Sequence, residues 1–186
     1  MKYLEMKKKA LSLIEELNED SANLTDDPDI EAKFISVTNQ IMYELARMKK
    51  IPKYVEIEVS EGDLLAFEDI GNAVGYDVYQ IGMVGGVNHQ FKANGTMVKI
   101  LESGTAEVDV FVYPERITEK NSGNYEFELS DDALEIMPYG IAGDLLKSDV
   151  STEYGNIYST RYESMIARLD SRYNMASIYI DGGVSI

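Results

Sequence analysis

The chain has 186 residues, 45% of them hydrophobic, no cysteine, and a formal charge of −16 from 33 acidic against 17 basic side chains. Lack of cysteine excludes disulfides, thiolate metal sites and thiol catalysis, and a charge of this sign argues against gripping duplex DNA through its phosphates. The length suits one domain with an inserted subdomain and a sizeable core.

The first predicted helix covers residues 3–17, where Ala10, Leu13, Ile14 and Leu17 form one apolar stripe and Lys7, Lys8, Glu15 and Glu16 the other face. The lysines of Met1–Lys9 are followed by no continuous apolar stretch, so no signal peptide is expected. No segment approaches the ~18 apolar residues of a membrane helix. A soluble protein made in a cytoplasm is the expectation. After a polar run, Asp27 and Pro28 supply an N-cap oxygen and a first-turn proline, with Asp29 and Glu31 suiting the dipole. The second helix then carries Ile30, Phe34, Val37, Ile41, Leu45 and Met48 inward as far as Lys49-Lys50, and Pro52 stops it.

Val55, Ile57 and Val59 alternate with Glu56, Glu58 and Ser60, the period of a strand, and Glu61-Gly62-Asp63 reads as a turn. Short apolar runs follow as far as residue 129: Val74, Tyr76, Val78 to Ile81, Met83-Val84, Met97 to Leu101, Val108 to Tyr113 and Tyr125 to Leu129. Asn94-Gly95 and Ser103-Gly104 are turn dipeptides between them. Spacing of this kind predicts a small antiparallel sandwich or curled sheet.

Helical periodicity returns after Ser130. Asp132 and Glu135 fit a capping box, Leu134, Met137, Ile141 and Leu145 a buried stripe, and Pro138 a kink or first turn. Gly140 and Gly143 either weaken this helix into a bend or let another helix approach closely. A last helix is expected from Thr152 to Arg172, with Tyr154, Tyr158, Tyr162, Met165, Leu169 and Tyr173 on one side and Arg161, Arg168 and Arg172 flanking them. Its tyrosines suit either packing on the chain's own domain or a groove shared between subunits. Ile178, Tyr179 and Ile180, then Gly182-Gly183 and Val184-Ser185-Ile186, read as a strand-like tail with a hinge.

The predicted fold class is therefore α+β. Residues 1–53 and 130–174 form a helical bundle with two N-terminal and two C-terminal helices. Residues 54–129 are an inserted antiparallel β-sandwich-like subdomain, and 175–186 an extended C-terminal tail.

A search for chemistry ends without a reaction. His89 is the one histidine, so neither a triad nor a histidine metal cluster can be assembled around it. Gly82-Met83-Val84-Gly85-Gly86 lacks the Walker lysine and the strand–glycine–helix setting of a dinucleotide site. Glu56 and Glu58 share one strand face and read as solvated, and Asp26-Asp27-Pro28-Asp29 lacks EF-hand spacing. No catalytic, metal or cofactor-binding residue is assigned, and no cofactor is expected.

The stretch Tyr125-Glu126-Phe127-Glu128-Leu129-Ser130-Asp131-Asp132-Ala133-Leu134-Glu135-Ile136-Met137-Pro138-Tyr139-Gly140-Ile141-Ala142-Gly143-Asp144-Leu145-Leu146-Lys147-Ser148-Asp149 resembles the neck proteins of tailed bacteriophages, the head-to-tail connectors. The order of two helices, a β-rich insertion and two more helices is similar to podophage tubular adaptors and related portal-adjacent ring proteins. The resemblance covers about 65 residues well and the remainder in outline, without a signature motif, and the insertion is longer than in the compact all-helical adaptors.

What it implies is a non-enzymatic structural protein of the virion neck, synthesised in the host cytoplasm. Twelve copies form a ring under the portal protein and above a tail, tail-terminator or nozzle protein. Genomic DNA passes through without sequence-specific binding during ejection, and no membrane is involved. A ring subunit needs two different surfaces that meet head to tail, and Leu4, Leu11, Phe34, Ile35, Met42 and Tyr43 lie off the main stripes where such surfaces are expected. An acidic lumen would repel DNA and let it slide. The expected portal contacts are Ile178, Tyr179, Ile180, Val184 and Ile186 in an added edge strand, and the expected inter-subunit helix face is Tyr154, Tyr158, Arg161, Tyr162 and Arg168. The alternatives are another virion component, such as a tail completion or capsid decoration protein, and a non-viral β-sandwich ligand-binding module offering Tyr76, Tyr79 and Phe91 to a ligand.

Overall fold

In the computed structural model, which describes residues 1–147 and 154–169, the chain begins with α1 (Tyr3–Leu13) and α2 (Pro28–Met48). Asp27 caps α2, its Oδ1 accepting from the backbone N–H groups of Asp29 at 2.8 Å and Ile30 at 3.2 Å, which satisfies two of the donors a helix start leaves orphaned. α1 stops four residues before its apolar periodicity does. Glu15 takes a left-handed φ of 61°, and the N–H groups of Glu16 and Glu15 turn back onto the carbonyls of Leu11 and Ser12. That is a Schellman ending with glutamate where glycine is usual.

The stripe of α1 is also rotated from the expected one. Tyr3, Met6, Lys7, Ala10 and Leu11 are buried, while Leu13, Ile14 and Leu17 are only half-buried. Lys7 is thus no solvent-face residue. Its stem lies in the core, its ammonium pairs with Glu31 and stands 5.3 Å from the Phe34 ring centroid, the usual way a long cationic side chain is buried. Leu11, Phe34 and Met42 likewise belong to the core and are not spare apolar groups for a neighbour.

β1 (Ile51–Val59), β2 (Leu64–Ala66), β3 (Val78–Gly85), β4 (His89–Lys92), β5 (Met97–Ile100) and β6 (Gly104–Val112) follow. They form two antiparallel sheets, ordered β1-β6-β3 and β2-β5-β4. Pro52 sits inside β1, paired with Phe111, which an edge strand tolerates because one side of its backbone needs no donor. The alternation of β1 is as the sequence predicts, with Val55 and Ile57 turned to the core side and Glu56 and Glu58 exposed.

One helix was not expected. α3 (Phe67–Val74) starts with Asp69 accepting the Ala66 N–H at 2.9 Å and ends at Gly75, left-handed with φ 79°. It buries Ile70 completely and packs on β1, β2 and β3. The segment Tyr125–Leu129 is not a sheet strand either. It keeps strand alternation, with Tyr125, Phe127 and Leu129 buried, but pairs with the chain start: Tyr3 N–H donates to the Tyr125 carbonyl at 2.9 Å and Phe127 N–H to that of Met1 at 3.1 Å.

α4 (Asp131–Leu146) runs through Pro138 without interruption and buries residues around most of its circumference. The capping box did not form. Asp132 instead accepts from Ser130 Oγ, from the Ala133 N–H at 3.1 Å and from Lys49 Nζ at 2.6 Å. α1, α2 and α5 (Tyr154–Ile166) all pack against α4. Five large apolar side chains of α4, Leu134, Ile136, Met137, Ile141 and Leu145, are buried, each worth about 1.5–3 kcal/mol relative to exposure. The molecule is thus mixed α+β with antiparallel sheets, and one continuous apolar core runs from the helices through Ile51 and Val108 to Val98 and Ile100.

Candidate functional site

α5 lies against α4 because glycines leave room for it. A Cβ on Gly140 would stand 2.8 Å from Tyr162 Cε2 and 3.0 Å from Ile41 Cγ2, and one on Gly143 would stand 2.7 Å from Ser159 Oγ and 3.1 Å from the Ser159 nitrogen. Of the two meanings the glycines allow, close helix approach is what occurs.

This contact uses part of the face expected to meet another subunit. Tyr162 is 7% exposed, and its hydroxyl donates to Glu44 Oε2 at 3.1 Å. Burial first, and the Glu44 carboxylate second, push that hydroxyl well above the ordinary tyrosine range. Tyr158 donates to the Leu13 carbonyl. Both hydroxyls are satisfied within the chain; the Tyr162 ring is buried in the core, while Tyr158 stays half-exposed. Arg161 and Arg168 remain exposed, Arg161 with its guanidinium 4.4 Å from the Tyr139 ring centroid. Ile157, 56% exposed, joins them on a groove with Asn156, Thr160, Ser164 and Met165. The side chain of Tyr154 and the residues Ile178, Tyr179, Ile180, Val184 and Ile186 lie outside the described residues.

A second surface was not picked out from the sequence. The face of the β1-β6-β3 sheet turned away from the core carries Tyr54 opposite Asp109 and Glu56 opposite Glu107, with Met83 beside Asp109 on the other flank. Tyr54 is 53% and Met83 62% exposed. The Tyr54 hydroxyl donates to Glu56 Oε1 at 2.9 Å. That bond, with Glu107 and Asp109 nearby, pushes it up to about 12. Thr105 donates to Glu58 at 2.6 Å. The alternating glutamates of residues 54–58 were visible in the sequence, but their opposition to Glu107 and Asp109 is a matter of register between distant strands.

Tyr76, Tyr79 and Phe91 share no ligand face. Tyr76 donates to Glu128 at 2.8 Å and meets Lys53 at 3.2 Å. Tyr79 donates to the Ala46 carbonyl at 2.9 Å and stacks at 4.7 Å on Tyr113. Phe91 stands on the other sheet, edge-on to His89. His89 itself lies 3.1 Å from the Val87 carbonyl through Nδ1. Among the described residues there is no group of three acidic or imidazole side chains that could hold a metal ion. Nor is any helix there long and apolar enough to cross a membrane. Compared with protein-family models and with curated proteins, the sequence matches none.

Proposed function

We propose that this chain is a head-to-tail adaptor of a tailed bacteriophage, a structural protein whose copies close into a ring between portal and tail and leave a passage for DNA. The observation that carries the reading is that the stretch resembling such adaptors, residues 125–149, contains the helix on which the other three long helices pack. The resemblance therefore falls on the element that organises the fold. In this reading α1, α2, α4 and α5 are the helical body, β1 to β6 with α3 are the inserted sandwich-like part, and residues 175–186 are the portal-binding tail. Net charge supports it as well. At −16, a ring of such subunits presents DNA with a repulsive wall and no grip. The function needs no catalysis.

The test uses the portal ring encoded by the same genome. Full-length protein is expected to bind it with fixed stoichiometry, seen as a ring by electron microscopy, and protein ending at Met175 is expected not to. Failure of the full chain to bind that portal would sink the proposal.

A further inference from the structure

The bare face of the β1-β6-β3 sheet is electrostatically unfavourable as it stands. Glu56 lies directly across from Glu107, and like charges at such positions are destabilising. Glu107 and Asp109 form no ion pair with any described residue. Two large apolar side chains, Tyr54 and Met83, are left exposed among these carboxylates. Residues 51–130 hold 14 acidic and 5 basic side chains, −9 of the chain's −16, whereas residues 1–50 hold 10 and 8. Residues 131–186 hold 9 acidic and 4 basic side chains, so the β region carries the largest share of the negative charge and the N-terminal helices the smallest.

The complement is on the same chain. Ile157 and Arg161 are one turn apart on α5, and Arg168 follows in the turn after the helix. Neither arginine is ion-paired with a described residue. This surface offers cations to meet the carboxylates of the sheet face, with the apolar Ile157 followed along the chain by Arg161 and Arg168. The helix fits within the length of the sheet, since α5 with 13 residues is about 20 Å long and β1 with nine is about 30 Å.

We propose that the α5 surface of one copy, with Ile157, Arg161 and Arg168, docks on the acidic sheet face of a second copy, around Tyr54, Met83, Glu107 and Asp109. Two different patches on one chain make a heterologous contact, which closes into a ring or continues as a filament. The inference deepens the adaptor reading by naming its inter-subunit contact, and rests on it for the closed ring.

Because the chain has no cysteine, the contact can be trapped cleanly. Full-length protein carrying both Tyr54→Cys and Ile157→Cys is treated with a short bismaleimide, free at high concentration and bound to its portal. A ladder of covalent oligomers is expected, while each single variant stays monomeric and a mixture of the two singles stops at dimers. Adding Arg161→Glu and Arg168→Glu should slow cross-linking about tenfold or more, and pairing those chains with Glu107→Lys, Asp109→Lys chains should restore it. Efficient dimers from Ile157→Cys alone, or no cross-link in either setting, would overturn the contact. Chains that assemble on the portal without cross-linking refute this interface and leave the adaptor reading standing. Chains that cross-link but ignore the portal do the reverse.

Discussion

Replacing Gly140 by alanine separates two opposing predictions about α4. In a helix interior, alanine is favoured over glycine by about 1 kcal/mol because it loses less backbone entropy, so helix propensity alone makes Gly140→Ala a stabilising change. Packing says otherwise. The new methyl would stand 2.8 Å from Tyr162 Cε2, 3.0 Å from Tyr162 Cδ2 and 3.0 Å from Ile41 Cγ2, all well inside van der Waals contact. The tyrosine cannot swing away cheaply, because its hydroxyl is held by Glu44 and its ring is buried, and Ile41 is 2% exposed. Forcing a methylene's worth of volume into such a site costs about 1–3 kcal/mol. With two walls to displace, the upper part of that range applies, and the net loss after the propensity gain is about 1–2 kcal/mol. Urea unfolding of the full chain reads this directly, provided the slope is unchanged. Gly123→Ala is the control. It has nothing within 4 Å of its would-be Cβ and no left-handed backbone, so it should gain about 0.4–1 kcal/mol through the unfolded state. If Gly140→Ala proves more stable by about 1 kcal/mol, α4 does not meet α2 and α5 as described.

Asn39 ties the long connection after β6 to α2: its Nδ2 donates to the Ile117 carbonyl at 2.8 Å and its Oδ1 accepts the Ile117 N–H at 2.9 Å, all buried. Asn39→Leu should cost about 3 kcal/mol, since two buried backbone groups lose their partners at roughly 1–3 kcal/mol each. Faster amide exchange at Ile117 would localise the effect, and unchanged exchange there would count against it. Stability should also fall steeply in alkali. Burial raises the hydroxyls of Tyr3, Tyr125 and Tyr162, and raises that of Tyr79 to about 12. Their folded-state values exceed the unfolded value near 10, so the stabilisation is complete below about pH 10 and is lost as pH climbs through the folded values. Thermal melts flat from pH 8 to 9.5 and dropping above pH 10 fit this reasoning, and a flat profile to pH 12 does not.

Local signals carried much of the fold. Asp27-Pro28 marked the start of α2 because capping and proline geometry are properties of neighbouring residues. The 55–59 alternation marked β1 for the same kind of reason. The apolar periodicity overruns α1 by four residues because the helix end depends on Glu15 adopting a left-handed turn, which no residue type announces when glycine is absent. α3 was hidden because Val74 and Tyr76 look like strand punctuation, although Asp69 three residues after Ala66 and Gly75 at the far end were cap signals in plain sight. Periodicity places Lys7 at the solvent face because its partners, Glu31 and Phe34, arrive from another helix. The sheet surface was illegible for a deeper reason. Alternation within β6 turns Glu107 and Asp109 away from the buried valines, but that they stand beside Glu56 and Tyr54 depends on which distant strand pairs with β6.

Burial also explains why the stretch that resembles an adaptor is not the stretch that can make contacts. α4 hides Ala133, Leu134, Ile136, Met137, Pro138, Gly140 and the residues after it as far as Leu145, with few gaps, so it has almost no surface to offer a neighbour. Its sequence is constrained by packing, with glycines where α5 approaches and large apolar groups where α1 and α2 do. In the proposed ring, contacts between subunits therefore fall to elements with a free side. Those are α5 and the turn after it, where Tyr162 is buried while Ile157, Arg161 and Arg168 face out, and the sheet, whose inner valines are buried while Tyr54 and Met83 face out. On both, the outward residues are set only by what they meet and not by the core. A protein can keep α4 recognisable while its contact surfaces change freely, provided the two change together. The charge pattern suits the proposed contact, with carboxylates on the sheet face and, among the described residues, no ion pair for Arg161 on α5 or for Arg168 just after it.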